Sequence, residues 1–549
     1  MNHPFKAYCL LLLASVLGGC QAATDLYSVR TFGAKGDGTT LDTPAVNKAI
    51  EAASASGGGT VYFPAGNYLC YSIHLKSNTT LYIEQGATIL AAGTETQGDY
   101  DPPEPCPWDK YQDFGHSHWH NSLMWGEDLQ NVSILGPGLI SGKGLSHGTN
   151  MHPERKFLPY GLNQDAAIDA TTKPSPEPTY PDPRDAVAAG IGNKAIALKN
   201  CRNVTFRDFS ILKGGHFAIL ATAVDNFTID NVKIDTDRDG IDIDACRNVR
   251  VSNCSINSPW DDGLCLKSSY GLGYARSTEN VTITNCFVTG GYELGTMLDG
   301  TYKRIGVDYS PDRHAARTGR IKFGTESNGG FKNIAISNCV IDYCCGLALE
   351  SVDGAIIEDV TISNLTMRDV VNAPIFIRLG ARLRGPPEST TVGAIRRVNI
   401  SDVIIVNSAA RFAGLISGIA GHDIEDVRIN NVRIVYPGGG TLKHAATRPE
   451  EQTKEYPEPN RFRGMPAYGF FIRYVDGIEF NNVALSYEKQ DMRPPFVLND
   501  VKNAEFFHVK ADHAPGRPNF ILDNVQNFST FQYLGLPDTK LENVQHEKF

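Results

Sequence analysis

The sequence predicts an all-β chain wound as a parallel β-helix, a solenoid, with a short N-terminal capping helix. Three observations carry that prediction. First, a phrase of the form Asn-apolar-x-apolar, usually followed by a second Asn or Asp and another short strand, recurs along the chain. It appears as NVSIL at Asn131, NVTFRDFSI at Asn203, NFTIDNVKI at Asn226, NVRVSNCSI at Asn248, NVTITNCFV at Asn280 and NIAISNCVI at Asn333. Weaker copies begin at Asp359, near Asn399, at Asp426 and at Gly477. Second, the clearest spacings are 23 and 22 residues, Asn203 to Asn226 to Asn248. Third, no helical pattern lies between copies, which excludes the crossover helices of a βαβ fold. A period just over twenty residues, made of period-2 strands and polar turns, describes one coil of a parallel β-helix.

The elements follow in order. Residues 1–20 read as an export signal: Lys6, an apolar run from Ala7 to Leu17, then small residues before Cys20. The run is too short to span a bilayer as a mature helix. Leu17-Gly18-Gly19-Cys20 resembles a bacterial lipobox, which makes Cys20 the expected lipidation site. An ordinary signal peptide cut nearby is the alternative, and either one exports the protein to the periplasm, the outer membrane or the medium. Residues 24–95 form a cap and first coils. Ala45, Val46, Ala49 and Ile50 share one helical face, and Gly57-Gly58-Gly59 ends the helix. A solenoid needs such a cover over its open apolar end. Residues 96–535 carry the coils, interrupted by long loops at 171–187, 298–320 and 440–469.

The repeated Asn at the turn is placed to stack on its neighbours and satisfy backbone groups. Cys254, Cys286 and Cys339 each follow the second Asn of a copy. Stacked inward positions make them buried free thiols acting as small hydrophobes. The net charge of −10 argues against a nucleic-acid binder, which needs a basic patch to neutralise phosphates. It leaves room for an acidic polymer held by a local cluster of cations. A solenoid of this size is stable as a monomer.

Counting thirteen residues from the repeated Asn puts His216, Asp239, Asp261 and Glu293 at one phase of four consecutive coils. Neighbouring strands lie about 4.7–4.9 Å apart, so such a column is expensive as decoration. Asp261 and Asp262 are adjacent, and in a straight strand one of them would point inward. Gly240 and Gly263 follow the acids directly and permit a bend, so both aspartates are expected on the outer surface. Paired carboxylates on an open groove suit glycosidic bond hydrolysis, one protonating the leaving oxygen and another activating water. An inverting arrangement sets the carboxyls roughly 6.5–9.5 Å apart, which Asp239 and Asp261 are expected to meet from adjacent coils.

These residues resemble glycoside hydrolase family 28, the polygalacturonases and related pectin hydrolases. The family's signatures are an Asn-Thr-Asp-Gly stretch, an Asp-Asp pair, a Gly-His-Gly and an Arg-Ile-Lys. The chain has DRDG at 237–240, DD at 261–262 and RIK at 320–322, in that order, and the likeness spans nearly all of the mature chain. The resemblance implies a right-handed β-helix without a cofactor, acting on pectic polysaccharide. It makes Asp261 the general acid, has Asp239 and Asp262 activate water, and gives Arg320 and Lys322 the uronate carboxylate beside the scissile bond. Two departures stand out. Asp237 replaces the Asn of the first signature, and GGYELG stands where Gly-His-Gly belongs, offering Glu293 for the chemistry and Tyr292 for stacking on a sugar. The departure suggests a linkage other than that of unbranched homogalacturonan, such as a rhamnogalacturonan-type or substituted one, with plain polygalacturonase activity as the alternative.

Further substrate contacts are expected from His216, Lys267 and Tyr302. His116, His118 and His120 share a face if extended; lining a sugar groove with Trp119 and Trp125, or simple packing, outweighs a metal site there. Loops that wall off one end of the groove would make the enzyme exo-acting. A polysaccharide lyase and a non-catalytic glycan-binding β-helix are the competing functions; the aspartates disfavour the first and the retained motif residues the second.

Overall fold

A computed structural model describes residues 26–112, 115–146, 189–304, 318–409, 412–462 and 464–549. The export signal with Cys20, the 171–187 loop and much of the 298–320 loop lie outside the described residues. All but two of the described strands form one continuous, almost wholly parallel sheet wound into coils. Each coil hydrogen-bonds to the next in register: Val204 pairs with Phe227, Phe227 with Val249, Val249 with Val281 and Val281 with Ile334. All five are buried, and stacking like on like fills the interior with one continuous apolar core.

The turn before each of these strands is what the repeated Asn serves. Asn131, Asn203, Asn226, Asn248, Asn280 and Asn333 all adopt left-handed backbone with φ of 54–57°, a region that Asn tolerates better than other side chains. Their side-chain amides hydrogen-bond from coil to coil. Asn131 donates to Asn78 at 2.7 Å, Asn203 to Asn131 and Asn226 to Asn203 at 3.1 Å, and Asn333 to Asn280 at 2.7 Å. In the copy expected near Asn399 the left-handed residue is Arg397, anchored to Asp359 of the coil below at 2.6 Å. Two further coils follow the last repeat legible in the sequence, with left-handed Asn503 and Asn527.

Cys254, Cys286 and Cys339 stack in the core, and every described cysteine is free. The helix Thr43–Ala55 buries Val46, Ala49, Ile50 and Ala53 over the first coil, as expected of a cap. The other end is closed differently. Thr539–Lys548 runs antiparallel to the last coil strand, Phe520–Phe531.

Asn226→Ala keeps a β-carbon in left-handed backbone without the polar side chain that makes the region tolerable, and also removes the ladder bond, a loss of about 2 kcal/mol. Asn226→Gly removes only the ladder bond and should cost about half as much. Denaturant titration of the two variants checks the difference; equal losses would mean that backbone conformation contributes nothing at this turn.

Candidate active site

Three adjacent strands on one outer face build the site: Asp239–Asp244, Leu264–Ser268 and Ile321–Ser327. Ile241 pairs with Leu264 and Leu264 with Ile321. These and Ile243, Leu266 and Phe323 point into the core, so alternation turns Asp242, Cys265 and Lys322 outward.

The expected column of four side chains is corrected by the register. Between the coils the offset is 22 residues before the bend, Lys233 with Ser255, and 23 after it, Ile241 with Leu264. The amides of Gly240 and Ile241 donate to the carbonyls of Asp262 and Gly263, each at 3.0 Å. Carried back, this register sets Asp239 beside Asp262 rather than Asp261. His216 misses the row in the same way, because Phe217 is the residue paired with Asp239. Glu293 leaves it altogether: Tyr292–Leu294 pairs antiparallel with Lys303–Arg304 in an insertion, and Ile321 takes the place beside Leu264. The side chain of Glu293 lies outside the described residues. The glycines permit close approach more than a bend: a β-carbon on Gly240 would sit 2.3 Å from the Gly263 carbonyl oxygen.

The expectation that neither aspartate is buried holds only for Asp261, whose side chain is 25% exposed and pairs with Arg238 at 2.5 Å. Asp262 is buried, with a cation on each oxygen: Arg320 Nε at 2.8 Å and Lys322 Nζ at 3.1 Å. A buried carboxylate is tolerable when paired in this way. Burial pushes the Asp262 carboxyl up, but Lys322, Arg320 and Lys267 outweigh it and bring it down to about 2. Asp239 goes the opposite way: burial, then the charges of Asp261 and Asp242, lift it well above the ordinary carboxylate range. One oxygen from each of Asp239, Asp261 and Asp262 lies within 4.8 Å of the others, closer than the separation expected from the sequence. A single water making two hydrogen bonds of about 2.8 Å at a tetrahedral angle bridges roughly 4.5 Å, so this spacing seats one water between two carboxylates.

Arg320 and Lys322, expected to be open to a substrate carboxylate, are both buried and already face protein carboxylates. Arg320 donates to Glu458, with Nη1 to Oε2 at 3.4 Å and a shorter bond from Nη2. Lys322 lies 3.7 Å from Glu350 and 3.4 Å from the Tyr456 hydroxyl. Sequence reasoning missed Glu350 and Glu458, since neither belongs to a motif. Burial pushes the Glu350 carboxyl up to about 8, with Lys322 and Arg320 holding it back.

Lys267 is likewise not presented to solvent. It is buried between Asp242 at 3.5 Å and Glu326 at 3.2 Å. His216 is buried against Phe217, and burial, reinforced by Arg238 and His116, keeps its imidazole neutral. The three histidines do not converge. His116 lies 3.3 Å from Asp242, His118 bonds the Glu104 carbonyl and Asp109, and His120 bonds Glu127 and stacks on Trp125. Tyr292 and Tyr302 do meet, with ring centres 4.3 Å apart, and Tyr302 is exposed.

Two segments wall the cleft. His116 comes from the segment 115–123 on one side. On the other, residues 449–462 are tied down by Arg378, which bonds the carbonyls of Glu451 and Gln452, and by Arg473, which bonds those of Pro449 and Glu450.

Fold and site together define a right-handed parallel β-helix with a carboxylate cluster on its outer sheet. Residues 189–364 match the family described as a right-handed beta helix region, and residues 26–101 match rhamnogalacturonase A/epimerase, pectate lyase-like. Within that class the chain is similar to polygalacturonases. It is 25% identical to a probable polygalacturonase of Vitis vinifera over 56% of this chain and 59% of that one. It is also 25% identical to an exo-poly-alpha-D-galacturonosidase of Dickeya chrysanthemi, over 52% and 49%. The chain thus spans only about half the length of these curated relatives. Its fold superposes on the family 28 exopolygalacturonase of Yersinia enterocolitica with a TM-score of 0.59 at 18% identity, covering 88% of this chain and 78% of that one.

Glu350 makes a pH prediction. Its folded pKa of about 8 lies above the ordinary 4.5, so between those values the folded state holds a proton that the unfolded state has lost. Stability should therefore fall with rising pH across that window, by about 1.4 kcal/mol per pH unit from this group. Glu350→Gln should flatten the decline in Tm over the same window; an unchanged slope would show Glu350 ionised in the fold.

Proposed function

We propose that the protein is a glycoside hydrolase that cleaves galacturonate-containing pectic polysaccharide by direct attack of water. The observation that carries this is the trio Asp239, Asp261 and Asp262, with oxygens within 4.8 Å and one member clamped by Arg320 and Lys322. The named activities of the two curated relatives support the substrate class.

The trio divides the chemistry by environment. Asp262, ionised, accepts a proton from the attacking water as its oxygen bonds to the anomeric carbon. Asp261, the exposed member, delivers a proton to the leaving glycosidic oxygen as the C–O bond breaks. At rest Asp239 holds that proton and passes it to Asp261 for delivery; the proton gained by Asp262 then returns to Asp239, so the proton count closes. With Arg320 and Lys322 on its two oxygens, Asp262 is a poor nucleophile, which favours a single displacement with inversion over a covalent intermediate. The exo activity named for one relative favours exo action on a chain end. The amino-terminal segment with Cys20 favours export, with or without a lipid anchor.

Proton NMR of fresh hydrolysis products should show the inverted anomer first; the retained anomer would demand a glycosyl-enzyme step. Asp262→Asn and Asp239→Asn should each lower kcat by about 10²–10⁴ with little change in KM. Mass spectrometry after incubation with rhamnogalacturonan oligosaccharides should show saturated monosaccharide, and polygalacturonate run beside them should give none. Unsaturated products would indicate a lyase, and no product from either substrate would remove pectin as the substrate.

A further inference from the structure

The carboxylate on Arg320 belongs to the protein itself. Glu458 reaches in from the 449–462 segment, faces both terminal nitrogens of the guanidinium and accepts from Asn372 Nδ2 at 3.3 Å. Arg presents a planar fork that matches a carboxylate, so this is the seat a uronate would take. Arg320 and Lys322 bring two positive charges. Asp262 offsets one and Glu458 the other, while Glu350 is neutral at neutral pH.

The neighbouring cations are committed as well. Among the described residues, Arg238 pairs with Asp261, Lys267 with Asp242 and Glu326, Arg382 with Asp353 and Arg384 with Glu326. The described part of the cleft therefore carries no surplus of positive charge. A second anionic group brought against Arg320 would have to displace Glu458 or lie beside it, and like charges so close repel.

We propose that Glu458 is a specificity-determining residue: it fills the carboxylate seat on the Arg320 fork, so that the sugar bound there is one without a carboxylate. The enzyme then cuts beside a neutral sugar. Glu458 also orients the Arg320 fork, whose Nε holds Asp262, so it positions a catalytic residue while it selects the substrate. Tyr456, two residues earlier, lies with its ring 5.6 Å from Lys322 Nζ and is itself exposed, an apolar wall suited to the face of a neutral sugar.

The inference rests on the pectic reading of the cleft for its choice of ligands, and its test needs no turnover. Binding of galacturonate and of galactose, which differ at C6 by the carboxylate alone, is measured by NMR titration on wild type and on Glu458→Ala. Thermal melts accompany both to confirm the fold. The galacturonate-to-galactose affinity ratio should rise at least tenfold in Glu458→Ala, with Glu458→Gln in between, because Gln removes the charge but still fills the seat. A merely structural role would weaken both sugars together. A ratio unmoved by Glu458→Ala, or galacturonate binding to neither protein, overturns the proposal. Loss of hydrolysis in the product assay with the ratio shift intact would remove the pectic hydrolase reading alone. An unmoved ratio with hydrolysis intact would remove only this inference.

Discussion

The left-handed turn held by a stacked side chain is the constraint from which the rest of the structure follows. At each such turn one residue is in a conformation that most side chains avoid, and at several of them its amide bonds the same residue of the coil below. That pairing fixes which residue of one coil lies over which residue of the next. A slip by one would turn every inward side chain outward. With the register pinned, the apolar positions stack without further instruction, and the outer face acquires a fixed geometry on which chemistry can be built.

Register also explains why the site departs from simple counting. The turn ladder is strictly kept, yet the bend before Asp239–Asp244 changes the offset by one residue and brings Asp262 beside Asp239. Asp262 is then far enough from water to require partners, and the next coil supplies Arg320 and Lys322. Two buried cations and a buried acid each lose hydration worth several kcal/mol, and each recovers it only through the others. The clamp therefore depends on two coils at once, which makes the carboxylate rigid before any substrate arrives.

Much of this was legible in the sequence, for reasons that particular residues make plain. The coils announce themselves because Asn131, Asn203, Asn226 and their successors are needed at one backbone conformation. The capping helix is visible because Val46, Ala49 and Ile50 follow a helical period. Asp239, Asp261, Asp262, Arg320 and Lys322 were found through contiguous short motifs. The burial of Asp262 was hidden, since it turns on a one-residue change of offset that no composition reveals. The displacement of Glu293 was hidden because an insertion and a coil look alike until the strand pairings are known. Glu350 and Glu458 carry no local signal; one comes from the following coil and the other from a loop more than a hundred residues downstream of Arg320. Arg397 and the coils of Asn503 and Asn527 escaped because the repeat is degenerate there.

The reversed strand at the carboxyl-terminal end bears on how the molecule lives at high concentration. A stack of parallel strands is open at its end by construction: the last coil presents a row of amides and carbonyls spaced to receive another, and a second molecule has such a row to offer. Growth of that kind makes fibres. Thr539–Lys548 occupies the row while running the wrong way for a further coil, and along its length stand Lys540, Glu542, His546, Glu547 and Lys548. Charges along an edge strand are one of the devices that discourage such pairing.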